Sequence, residues 1–159
     1  MQRLTLVPQE TPGLHVPASE VSVAEITTPD FQTYLDDLIY TMIESDGVGI
    51  ASPQIGRNIR AVAVQMPHGP ECFMNPVITK YSEAQVESEE GCLSVPGQFG
   101  IVMRSKRVTV EALNRHGRRV SLDLKQFPAI VFQHEIDHVN GILYIDKAIR
   151  MTRGTSTTI

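Results

Sequence analysis

His134 and His138 stand four residues apart in the run Gln133-His134-Glu135-Ile136-Asp137-His138. On an α-helix, side chains at i and i+4 project from one face, so both imidazoles can meet a single metal ion. Glu135 is offset from that pair and suits a general base working on water. A catalytic site of this type uses three protein ligands and keeps one position open. Downstream donors are poor: Tyr144 stands where the pattern HExxHxxGxxH would place another His, no Glu follows Glu135, and Asp146 is the only carboxylate after His138. The third ligand is therefore expected upstream. Cys92, in Glu90-Gly91-Cys92-Leu93-Ser94, offers a thiolate suited to soft and borderline metals. A small buried thiol without a ligand role is the other reading of a lone Cys.

The segment that must carry the two His is a helix over about Pro128–Asn140, stopped by Gly141. Ala129, Phe132, Ile136 and Val139 form one apolar face, and Ile130 and Val131 make a second side apolar. A helix apolar on more than one side is buried, so His134, Glu135 and His138 belong to a central helix. An earlier helix begins at Thr28-Pro29-Asp30 and runs through Phe31, Leu35, Leu38, Ile39, Met42 and Ile43 to Ser45-Asp46-Gly47. Between the helices, Arg60–Met66 and Cys72–Tyr81 read as strands split by Pro67-His68-Gly69-Pro70, and residues 84–90 as another. Lys106–Leu113 and Val120–Leu124 form a hairpin about Asn114-Arg115-His116-Gly117. Residues 1–28 read as a lead-in loop with a short helical turn near Val16–Val21. These elements predict an α+β fold, with antiparallel β-sheets packed around a central α-helix bearing HExxH.

With 159 residues, 42% apolar and 20% charged, the chain is expected to form one catalytic domain over residues 1–159. A net charge of −4 and a pI near 5.7 argue against a broad nucleic-acid surface, and no nucleic-acid motif is present. No apolar run approaches the roughly 20 residues of a membrane span, and no leader is visible, so a cytoplasmic protein is expected. In a reducing compartment a ligating or buried thiol is favoured over a Cys72–Cys92 disulfide.

Three ordered motifs carry a resemblance. Gly47-Val48-Gly49-Ile50-Ala51-Ser52-Pro53-Gln54, Glu90-Gly91-Cys92-Leu93-Ser94 and Gln133-His134-Glu135-Ile136-Asp137-His138 resemble those of the peptide deformylases. The likeness runs from about Leu14 to Ile145. It implies a metal-dependent hydrolase that removes the formyl group from the N-terminal formyl-methionine of new polypeptides and releases formate. It further implies Cys92, His134 and His138 as metal ligands, Glu135 as acid and base, and Gln54 with the Leu93 N–H as holders of the formyl oxygen. The implied ion is Fe(II), with zinc, nickel or cobalt able to take the same ligands. The substrates would be N-formyl-methionyl peptides lying along the Gly-rich loop at Val48 and Gly49, beside Gly91. Their methionine would enter an apolar pocket for which Val48, Phe127, Ile130 and Val131 are candidates. Glu90 and Arg104 resemble a pair that orients the Cys92 loop, and Asp137 could orient a ligating His or bond elsewhere.

Three departures from the family pattern stand out. Ser52 replaces a common Ala, and Phe99 stands where many bacterial members carry Arg. The chain also has only 21 residues after His138, so ribosome contact is not expected through the long C-terminal helix of well-known members. Two other readings use the same helix. A small zinc protease would cleave internal peptide bonds, and a catalytically silent relative would bind without turnover.

Overall fold

The computed structural model describes residues 1–154 and 159. Three α-helices are present among the described residues: α1 (Val23–Ile26), α2 (Pro29–Glu44) and α3 (Phe127–Val139). Eight strands accompany them among the same residues: β1 (Gly49–Ala51), β2 (Ala61–Met66), β3 (Gly69–Tyr81), β4 (Gln85–Cys92), β5 (Val95–Ser105), β6 (Arg107–Asn114), β7 (Arg119–Lys125) and β8 (Arg150–Thr152). They form a five-stranded sheet, β1-β2-β3-β6-β7, and a three-stranded sheet, β4-β5-β8, with every pairing antiparallel.

The large sheet is covered on both sides, and β2 shows why. Side chains alternate across a strand, and Ala61-Val62-Ala63-Val64 are all buried. Ala61 and Ala63 join Cys72 and Met74 beneath α2, packed with Phe31, Leu35, Leu38 and Met42. Val62 and Val64 face the other way and meet Phe73, Phe132, Ile136 and Val139 in the cluster that takes in α3. Small residues on one face and branched ones on the other thus set how the two helices approach. A third cluster (Leu14, Cys92, Val95, Val102, Leu143 and Tyr144) anchors the end of β4.

Helix boundaries follow the expected chemistry. The Thr28 hydroxyl accepts the Phe31 N–H at 3.3 Å with Pro29 in the first turn. Helix α2 ends as Asp46 adopts φ 55° and the Gly47 N–H returns to the Met42 carbonyl at 3.0 Å. After α3, Gly141 takes φ 78°, and a Cβ there would stand 2.6–2.9 Å from the backbone of Val16. Strain and overlap coincide, so Gly141→Ala is expected to cost about 2–3 kcal/mol. Urea unfolding of the two proteins checks this as a lower midpoint at unchanged m.

Three expectations need correction. Val16–Val21 forms no helical turn: a 3-10 turn occupies Pro12–His15, and the Ala18 N–H goes to Val139 O at 2.9 Å and the Ser19 N–H to Asn58 O at 3.1 Å, holding the segment extended. The eleven-residue strand β5 was not expected, because Pro96, Gly97 and Gly100 break its alternation. Cross-strand bonds to β4 from Gln85↔Ser105 to Gly91↔Phe99 supply what local propensity lacks. The Gly-rich loop also contains the strand β1, paired Gly49↔Val64 through Ala51↔Val62.

Candidate active site

Helix α3 presents His134 and His138 one turn apart, with ring centroids 4.9 Å from each other and planes at 71°. Strand β4 ends at Cys92, whose Sγ lies 3.3 Å from His138 Nε2. One donor atom from each of Cys92, His134 and His138 falls within 4.8 Å of the others, and all three residues are buried. Tetrahedral bonds of about 2.0–2.3 Å space donors roughly 3.3–3.6 Å apart, so these side chains fit around one ion. A further sign is His134 Nε2, which is buried with no hydrogen-bond partner among the described residues. Cys72 lies elsewhere, a buried free thiol 3.7 Å from the Leu35 carbonyl, and neither cysteine is in a disulfide.

The electrostatics favour the ligand forms of the two imidazoles and oppose that of the thiol. His134 Nδ1 sits 3.2 Å from Glu90 Oε1, an acceptor that places the proton on Nδ1 and leaves the Nε2 lone pair for an ion. Burial, together with the nearby His134 and Arg104, pushes His138 well below its ordinary value, which keeps it neutral. Burial pushes the Cys92 thiol up to about 12, against main-chain hydrogen bonds from Ser94 and Val95. Ion capture must therefore displace the thiol proton.

Behind the ligands lies a buried charge network. Arg104 forks onto Glu90, with Nε 3.1 Å from Oε2 and a terminal nitrogen 3.1 Å from Oε1. Its other terminal nitrogen reaches Asp137 Oδ2 at 2.6 Å, and Lys147 Nζ reaches Asp137 Oδ1 at 2.8 Å. Burial alone would raise Glu90, but the bonds and charges of His134 and Arg104 outweigh it and hold the carboxyl below the usual range. The His-orienting carboxylate is thus Glu90, while Asp137 fastens Arg104. The sequence could not make that assignment, because Glu90 meets His134 only when β4 crosses α3.

Glu135 is fully buried, and both carboxylate oxygens lack partners among the described residues. Burial first, then the Glu90 charge, raises its carboxyl well above the ordinary value, with Arg104 opposing. A perturbed acid beside three convergent donors is a mark of acid-base chemistry. Strand β1 makes room for it: a Cβ on Gly49 would overlap the Glu135 carboxylate. Gly49 therefore serves close approach, and neither Gly47 nor Gly49 has positive φ.

Gln54 sits in the 3-10 turn Ser52–Ile55 and is buried. Its Oε1 accepts the Ala51 N–H at 2.7 Å, which fixes the amide so that Nε2 points at Cys92 Sγ, 3.4 Å away. Sequence reasoning missed the brace behind this turn: the Tyr34 hydroxyl donates to Ser52 Oγ at 2.6 Å, and the Val7 N–H to Gln54 O at 2.8 Å. Ser52, which replaces the family's common Ala, is the signal that could have found it. Leu93 follows Cys92 directly and is half-buried, beside Gly47.

The apolar candidates divide. Val131 lies in the cluster under α3, with Val48 and Ile130 packed against it. Phe127 opens the helix and is 49% exposed.

A family model for polypeptide deformylase matches residues 2–154. The chain belongs to the polypeptide deformylase family. It is 45% identical over 131 residues to a peptide deformylase of Halothermothrix orenii, covering 81% of this chain and 84% of that one. A Fusobacterium nucleatum peptide deformylase is 44% identical over 137 residues, 86% of this chain and 78% of its own. Among solved structures, the Thermotoga maritima peptide deformylase superposes with a TM-score of 0.89 at 34% identity, covering 93% of this chain and 99% of that one. An Acinetobacter baumannii class I type b enzyme with bound Met-Ala-Ser gives a TM-score of 0.86 at 34% identity, over 91% of this chain and 98% of that one. The protein is accordingly a metal-dependent hydrolase that removes the formyl group from the N-terminal methionine of nascent peptides. No helix among the described residues is long and apolar enough to cross a membrane.

Proposed function

We propose that Cys92, His134 and His138 hold one divalent ion, Fe(II) by likeness to the family, and that Glu135 moves the protons of deformylation in the cytoplasm. The observation that carries this is the unpartnered, fully buried Glu135 carboxylate beside a Cys-His-His cluster of ligand spacing. When bound, the ion supplies a Lewis acid that acidifies water and polarises a carbonyl. Glu135 accepts a proton from the attacking water, and burial, which raises its carboxyl above the ordinary value, makes it a stronger base than a solvated carboxylate. Oxygen addition to the formyl carbon turns the carbonyl into an oxyanion, toward which the Gln54 NH₂ and the Leu93 N–H donate. Glu135 then gives its proton to the departing nitrogen, and formate and a free methionyl amine separate.

The peptide lies between β1, at Val48 and Gly49, and the end of β4, at Gly91. Its methionine side chain rests on Val48, Phe127, Ile130 and Val131. Main-chain pairing at strand edges tolerates varied residues after the methionine, as a general processing enzyme requires. The ligand set itself does not separate iron from zinc, nickel or cobalt. Elemental analysis of anaerobically purified protein is expected to return one iron per chain, and a zinc-only result would overturn that part.

The reaction is tested by incubating the protein with formyl-Met-Ala-Ser, acetyl-Met-Ala-Ser and an unformylated longer peptide. Formate from the first alone is the expected outcome, and internal cleavage of the third would favour the protease reading. Gln54→Ala should lower kcat about 10²- to 10³-fold with little change in KM, read in the same formate assay. An equal loss from KM alone would assign Gln54 to ground-state binding.

A further inference from the structure

After α3, the segment Arg150–Gly154 runs along β5 and packs against Phe99. Strand β8 pairs with β5 so that Thr152 stands opposite Phe99. Gly154, at φ 80°, is packed so closely on the Phe99 ring that an added Cβ would lie 2.6 Å from ring carbons. The same ring abuts Gly91, where an added Cβ would stand 2.7 Å from Phe99 Cε1. An Arg at this position could not give the flat apolar surface against which both glycines rest. Past that point, Ile159 donates its main-chain N–H to the Gly91 carbonyl at 3.2 Å. Its side chain is only 1% exposed, in the cluster that contains Val131 and against which Val48 and Ile130 pack.

We propose that Ile159 docks in the side-chain recess of the cleft and competes there with the incoming peptide, so that the chain limits its own substrate affinity. This rests on the reading of the recess and of Gly91 given under Proposed function. Isoleucine fills nearly the volume of methionine, and such apolar swaps are well tolerated in a packed site. Its N–H bond to Gly91 takes up a main-chain acceptor at the cleft edge. A peptide can enter only from the fraction of molecules in which Ile159 is withdrawn. Apparent affinity then falls by that fraction, while the chemical step in the loaded enzyme is untouched.

Steady-state formate release from formyl-Met-Ala-Ser by the full chain tests the proposal. Ile159→Asp places a charge that the apolar recess rejects, and KM is expected to fall roughly five-fold at level kcat. Ile159→Met should keep the wild-type KM. Phe99→Ala, which removes the ring on which Gly154 packs and leaves Ile159 itself unchanged, should lower KM in the same direction. One shared KM for wild type and Ile159→Asp, with formate released by both, overturns the proposal and leaves the parent reading standing. So does a lowered thermal midpoint in Ile159→Asp with KM unchanged, which would make Ile159 a packing residue only. No formate from any of the proteins overturns both.

Discussion

Glu135→Gln is expected to retain its ion and lose deformylation by at least about 10³-fold in kcat. The amide has the shape of the carboxyl but cannot accept a proton from water or return one to the leaving nitrogen, so both proton transfers fail together. Stability should not suffer. A fully buried carboxyl with no partner contributes nothing favourable to folding, so the thermal midpoint is expected to hold or rise, as at other sites where function is kept at a cost in stability. Single-turnover formate release, metal content and a melting curve on one preparation separate these statements. Near-wild-type turnover in a variant that keeps its ion would remove Glu135 from the mechanism.

Arg104→Met should produce the largest loss of stability. Arg104 is 2% exposed and serves two carboxylates, one of which, Glu90, is fully buried. Removing the cation strands a desolvated charge, a change worth about 3–5 kcal/mol where only one partner of a buried pair is lost. The double variant Arg104→Met with Glu90→Gln should recover much of that, since removing both charges also removes the desolvation cost. Lys147 remains to satisfy Asp137 in either protein. Because its partners hold Glu90 below its ordinary 4.5, the wild-type pair contributes fully at neutral pH and is lost as the pH falls below that value. The stability gap between wild type and the double variant should therefore narrow on acidification. Denaturant midpoints at pH 7 and pH 4 provide the check.

How far the sequence reached depended on how local each feature is. The two His and Glu135 lie on one helix, and three residues at fixed offsets suffice to place them together. Cys92 meets them only after β4 has paired with β5 and docked on α3, so spacing could ask for an upstream ligand without choosing it. The ordered motifs made that choice. The α+β architecture followed from the hairpins and the doubly apolar helix, whereas β5 escaped because its order comes from β4. The bond from Glu90 to His134 and the brace from Tyr34 to Ser52 span 44 and 18 residues, beyond any periodicity.

X-ray absorption on anaerobically purified protein at the metal edge tests the central claim most directly. One sulfur at about 2.3 Å and two imidazole nitrogens near 2.0–2.1 Å are expected, with the sulfur lost in Cys92→Ala. A first shell of nitrogen and oxygen alone in the wild-type protein would contradict the account.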